Sequence, residues 1–214
     1  MRRIALLLIT PALAVAQTAA PRFEVSFTKA AHAEPITGRV YVAISKTSDV
    51  SRGPIQQAGE TGVPLFAVNI DQLAAGATAT IDAKTFGHPV QSLRDIPAGE
   101  YWVQPFVNLY TKFARADGHT VWLHMDQWEG QHWQRSPGNL YGDPVKVTFD
   151  PKSSKPIKLV ADKAIPALTI PADNEHVKRI KIQSQILTKW WGHPIFLGAT
   201  VLLPKDYDKH PDAK

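Results

Sequence analysis

The sequence predicts a mainly β protein, an antiparallel β-sandwich of immunoglobulin or transthyretin type over residues 22–161. Three observations predict it. Short runs rich in β-branched and aromatic residues recur along this part of the chain, turn-forming residues separate them, and no apolar pattern of period 3.6 is sustained before residue 165. Cysteine is absent, so no disulfide, thiolate metal site or cysteine nucleophile is available and the core alone must hold the fold. The 214 residues, 44% hydrophobic and 20% charged, suffice for one or two domains.

The elements follow in order. Arg2 and Arg3 precede an apolar run over 4–16 that ends in Ala14, Val15 and Ala16, which reads as a secretory signal peptide over 1–16 with cleavage near Gln17. The run is shorter than the roughly 20 residues that span a bilayer, so the expectation is export, to the periplasm or the exterior, without a membrane anchor after cleavage. Phe23, Val25 and Phe27 alternate with Glu24 and Ser26, and 37–45 (TGRVYVAIS) has the composition of a half-buried pleated surface; both predict strands. Residues 47–62 read as a loop and 64–70 (PLFAVNI) as a strand, with one helical turn at Asp71, Gln72 and Leu73. A short strand follows at 78–82. Residues 93–110 carry a turn at Pro97, Ala98 and Gly99 and then a long strand in which Tyr101, Val103, Val107 and Leu109 share a face. Pro105 inside it points to an edge position or a bulge. Two more strands, 144–149 and 156–161, flank a turn at 150–154.

Beyond 161 the composition changes. Residues 162–176, with Pro166 and Pro171, read as an extended linker. Residues 177–187 alternate, with Ile180, Ile182 and Ile186 on one face and Lys181, Gln183 and Gln185 on the other; 195–203 (IFLGATVLL) is a second and more buried run. Between them Trp190 and Trp191 fall in a turn. Such a hairpin is marginal alone and its apolar face needs a partner.

The formal charge is +5, from 24 basic and 19 acidic residues. Loss of Arg2 and Arg3 with the leader leaves 22 against 19, or +3. The lysines are scattered, with the densest group at Lys178, Arg179 and Lys181, so neither nucleic acid nor a membrane surface is implied as a partner.

The stretch 119–142 (HTVWLHMDQWEGQHWQRSPGNLYG) gathers Trp122, Trp128 and Trp133 with His119, His124 and His132. With Asp117, Asp126 and Glu129 the histidines offer nitrogen and oxygen ligands, but at no recognised metal spacing, so no metal is assigned. The tryptophans could form a stacking platform for a glycan, or Trp122 could be core while the others pin an irregular loop. His88 and His210 are isolated and read as exposed.

Residues 182–214 (IQSQILTKWWGHPIFLGATVLLPKDYDKHPDAK) resemble the opening of the catalytic domain in secreted esterases of the esterase D and enterochelin-esterase type. Those domains begin with two strands ending in Leu-Pro-x-x-Tyr-Asp, matched here by Leu203, Pro204, Tyr207 and Asp208. Residues 93–110 and 117–142 look like the N-terminal β-domain that precedes the hydrolase domain in a bacterial subset. The resemblance implies an accessory β-sandwich over 22–161 and the first β-hairpin of an α/β-hydrolase domain, itself incomplete, over 177–214. It implies a carboxylic-ester hydrolase acting by serine acyl transfer without a cofactor, with a small ester as substrate only if the hydrolase domain follows. The Gly-x-Ser-x-Gly elbow and the acid and histidine that follow it are missing. Ser136 and Ser184 lack the flanking glycines, so no catalytic residue is assigned. The resemblance also sets the 119–142 loop at a domain interface, where Trp122, His124, Asp126, Trp128, Trp133, Arg135 and Asn139 would wall a substrate pocket. The alternative is a self-contained exported module that binds carbohydrate or a cell-surface partner through the same loop.

Overall fold

The computed structural model describes residues 20–48 and 52–209. The leader over 1–16 and His210 lie outside the described residues. The protein is mainly β, and two facing sheets form its body. The smaller has three strands, β1 (Arg22–Phe27) between β4 (Ala79–Asp82) and β11 (Ile157–Ala161), with β11 parallel to β1 and β4 antiparallel. The larger is antiparallel and centres on β2 (Ile36–Ser45) and β6 (Gly99–Leu109). β3 (Leu65–Leu73) pairs with β2 and carries β5 (Gly87–His88) on its far side; β10 (Val145–Phe149) and β9 (Leu140–Tyr141) pair with β6, and β12 (Lys163–Ala164) pairs with β9.

The period of two decides which residues meet between the sheets. Phe23, Val25 and Phe27 face Val40, Val42 and Ile44 of β2 and Tyr101, Val103 and Val107 of β6 in one buried cluster. Phe23, Phe27, Phe66 and Phe149 are fully buried there, each contributing roughly 1.5–3 kcal/mol of transfer free energy. The expected shared face of Tyr101, Val103, Val107 and Leu109 is thus the core face. Tyr101 closes the turn before its strand, its hydroxyl donating to the Pro97 carbonyl at 2.9 Å, as tyrosine corners do in sandwiches.

Several local expectations are corrected. Pro105 lies in a central strand rather than at an edge or bulge. Its carbonyl accepts from the Gly142 N–H, so its missing donor faces the interval between β9 and β10, where no ladder bond is required. Asp71, Gln72 and Leu73 are strand rather than helical turn, because Leu73 pairs with Ile36 and the Thr37 hydroxyl holds both Asp71 and Gln72. The 47–62 loop contains a short helix, α1 (Pro54–Gln57), started by Pro54 and anchored by buried Ile55.

The large sheet also buries its outer face. Ala43, Phe106 and Ile55 form a second cluster there, flanked by Tyr41, Trp133, Tyr141 and Ile165. Residues 162–176 therefore begin as structure. β12 pairs with β9, and Ile165 exchanges backbone hydrogen bonds with Gly138 and Asn139 before the chain becomes exposed.

Two antiparallel hairpins project from this body. The first is β7 (Thr111–Ala114) with β8 (Thr120–Leu123); the second is β13 (Val177–Gln183) with β14 (Phe196–Leu202). Strand β13 stops at Gln183, short of the expected 187, and Trp190 and Trp191 lie in helix α2 (Gln185–Trp191) rather than in a turn. The physical cause is capping: the Ser184 hydroxyl accepts from the Leu187 N–H, and Gly192 takes φ +70° to close the other end. The run over 195–203 is exposed rather than more buried, with Leu197 at 55% and Leu202 at 77%.

Candidate functional site

The 119–142 stretch leaves β8 at Leu123 and crosses to β9 as an irregular loop. Its foundation is an inward-facing polar chain. The Leu109 N–H donates to Asn139 Oδ1 at 2.9 Å, which leaves Asn139 Nδ2 to donate to the Trp133 carbonyl at 2.9 Å and to Asn108 Oδ1 at 3.1 Å. That oxygen also meets His124 Nδ1 at 3.0 Å. Since it is an acceptor, Nδ1 carries a proton. On the other side of the ring Nε2 lies 2.8 Å from Glu129 Oε1, while Glu129 Oε2 accepts from the Gln127 N–H at 2.6 Å.

This is a costly arrangement, because the Glu129 side chain is only 1% exposed. Burial opposes its ionisation, but hydrogen bonds from His124 and the Gln127 N–H outweigh that and hold the carboxyl below its ordinary range. At the opposite end of the chain, burial and the neighbouring Tyr110 push the Tyr41 hydroxyl up to about 12, so it remains protonated beside Asn108.

With the loop pinned in this way, its aromatic residues acquire separate neighbours. Trp133 stacks on Tyr41 at 4.6 Å between ring centroids and meets Phe106 edge-on at 5.1 Å, so it covers the outer face of the large sheet. Trp128 takes φ +79°, with its N–H donated to Asp126 Oδ1 at 2.8 Å, and lays its half-exposed ring on Gly198 of β14. A Cβ at 198 would fall inside that ring. Trp122 is exposed rather than core and lies opposite Lys112 in the β7–β8 hairpin. Arg135 is exposed, and Asn139 is buried with its amide fully engaged.

A second contact joins the two hairpins. The Ala116 N–H donates to the Trp190 carbonyl at 2.6 Å, and Phe113 meets Trp191 at 5.5 Å and His193 at 4.8 Å. Between this contact and Trp128 runs a groove of about 460 Å³ walled by Leu123, Met125, Trp128 and Phe196, with Asp126 and His193 as polar neighbours. Three of the seven residues anticipated from sequence, His124, Asp126 and Trp128, line it. Trp133, Arg135 and Asn139 belong to the other side of the loop. Asn108 and the pairing role of Glu129 were not anticipated; an asparagine interrupting the apolar end of a long strand was the available signal.

The possible metal ligands are dispersed. Asp117 pairs with His119 and Arg115 at the β7–β8 turn, whereas Glu129 pairs with His124. Among the described residues no three His, Asp or Glu side chains come together as a metal site. Compared with known protein families, curated proteins and solved structures, the chain matches none.

Proposed function

We propose that this chain is the non-catalytic accessory portion of an exported carboxylic-ester hydrolase, with β13 and β14 as the first hairpin of the hydrolase unit. One observation carries the reading. The hairpin is held at one end, through α2, Phe113 and Trp128, yet much of its apolar surface is uncovered: Ile182 is 60% exposed, and its cross-strand neighbour Leu197 is also mostly exposed. A two-stranded ribbon with uncovered apolar residues is the edge of something larger. The adjoining groove, apolar with a few polar groups, then serves as one wall of the pocket for the acyl part of the substrate.

The three tryptophans each serve a different contact, so the carbohydrate alternative draws no common stacking platform from them. The test is made on the protein isolated from its native source. Its intact mass is measured, it is labelled with a serine-directed fluorophosphonate, and it is assayed on p-nitrophenyl butyrate. The expected product is longer than this chain, labels at a serine outside residues 1–214 and hydrolyses the ester. A product confined to these residues, unlabelled and inactive, overturns the proposal.

A further inference from the structure

The outer face of the large sheet carries a second concavity, separate from the groove and independent of the hydrolase reading. It measures about 280 Å³ and lies between α1 and the turn Trp133–Arg135, over Phe106, Tyr141 and Ile165. At about the lower end of the 300–1,000 Å³ range of small-molecule sites, it has the size of a single ring.

Its polar groups are unusual in being idle. Gln56, Gln134 and Arg135 all line the cavity, and among the described residues none of them makes a side-chain hydrogen bond or ion pair. No acidic residue lines it. Gln104 at the back is already satisfied, accepting from the Ile55 N–H at 3.1 Å and donating to the Gly142 carbonyl at 3.0 Å.

The scaffold beneath these groups is rigid. Ile55 and its bond to Gln104 pin the helix that presents Gln56. Opposite, the turn that presents Gln134 and Arg135 is closed by the Arg135 N–H donating to the His132 carbonyl at 2.7 Å, and it sits on Trp133, which is clamped by Tyr41 and by Asn139. With the backbone fixed on both sides, binding has to order side chains but no loop.

The chemistry of the lining selects the ligand. An unpaired guanidinium suits a carboxylate, which it can take in two parallel bonds. Two primary amides, each both donor and acceptor, suit neighbouring hydroxyls, and the half-buried Tyr141 provides aromatic surface for the C–H face of a ring. We propose that this cavity binds a hydroxylated ring bearing a carboxylate, a uronic-acid sugar unit, with Arg135 on the carboxylate and Gln56 and Gln134 on hydroxyls.

The probe is methyl β-glucuronide, titrated into the isotope-labelled protein and followed by amide and side-chain NMR shifts. Saturable shifts at Gln56, Gln134 and Arg135 are expected, with methyl β-glucoside binding about tenfold more weakly because it lacks the charge-assisted pair. Arg135→Ala should lose about tenfold or more, Arg135→Lys should recover part of it, and Gln134→Ala should weaken both sugars alike. Arg135 is exposed, so an unchanged spectrum outside the site shows that the variant is folded. Absence of saturable shifts up to about 10 mM overturns the proposal, as does equal binding of both sugars or binding indifferent to Arg135→Ala.

Discussion

At the residue scale, the most consequential side chain is Glu129. Its two oxygens each face a donor, His124 Nε2 and the Gln127 N–H, so an amide at this position turns one acceptor into a donor aimed at a donor. Glu129→Gln should therefore cost about 1–3 kcal/mol at neutral pH, the usual penalty for a buried mismatched polar group. The pH dependence follows from the lowered carboxyl. The folded state binds its proton less readily than the unfolded chain, so the stabilisation is complete above the ordinary glutamate value of about 4.3 and is lost as pH falls through the lower native value. Urea unfolding of both proteins should show a gap in midpoint that is constant above the ordinary glutamate value and closes as the pH is taken progressively below it. A gap that persists to acid pH would show that the charge is not what the site uses.

At the element scale, the β13–β14 hairpin depends on Gly198. The absence of a side chain lets the Trp128 ring come up against the strand, and Lys181 extends over the same ring at 5.4 Å. Gly198→Leu should lift Trp128 from β14 and leave the hairpin held by the contacts of Trp190, Trp191 and His193 with the β7–β8 hairpin. Hydrogen exchange is then expected to accelerate across residues 177–202 by about tenfold, equivalent to about 1.4 kcal/mol of local opening, while the sandwich strands keep their protection. Equal acceleration in β2 and β6 would mean that hairpin and body form one cooperative unit. Helix α2 shows how little propensity decides at this length: seven residues are too short to be stable alone, and the Ser184 and Gly192 caps with the Trp191 contact supply the rest.

At the scale of the whole molecule, a core shared by two sheets stands beside a hairpin that shares little of it. Every residue of the main cluster lies between Phe23 and Ala161, and the last backbone bonds tying the connecting segment to the body are those of Ile165. Residues 166–174 are exposed, and Pro166 and Pro171 have no N–H to offer a ladder. Limited digestion with a protease of broad specificity should therefore cut first within 166–174 and leave a resistant fragment ending near 165, identified by mass. First cuts in the 47–62 loop or in the 119–142 loop would show that the body is weaker than its burial implies.

Alternation and turn residues were sufficient to determine the mainly β class, the positions of most strands and the core face of β6, because a strand with one buried face must repeat every two residues. The Ser184 and Gly192 caps were equally legible as letters, and alternation over 177–187 concealed them. What tertiary structure alone decided was partnership. Pro105 is tolerated in a central strand because the neighbouring strand is interrupted opposite it; Trp122, Trp128 and Trp133, alike in sequence, divide among solvent, Gly198 and Tyr41; and Asn108, from another strand, orients His124. Each depends on contacts between residues distant in the chain, and local pattern holds no record of which distant backbone will lie alongside.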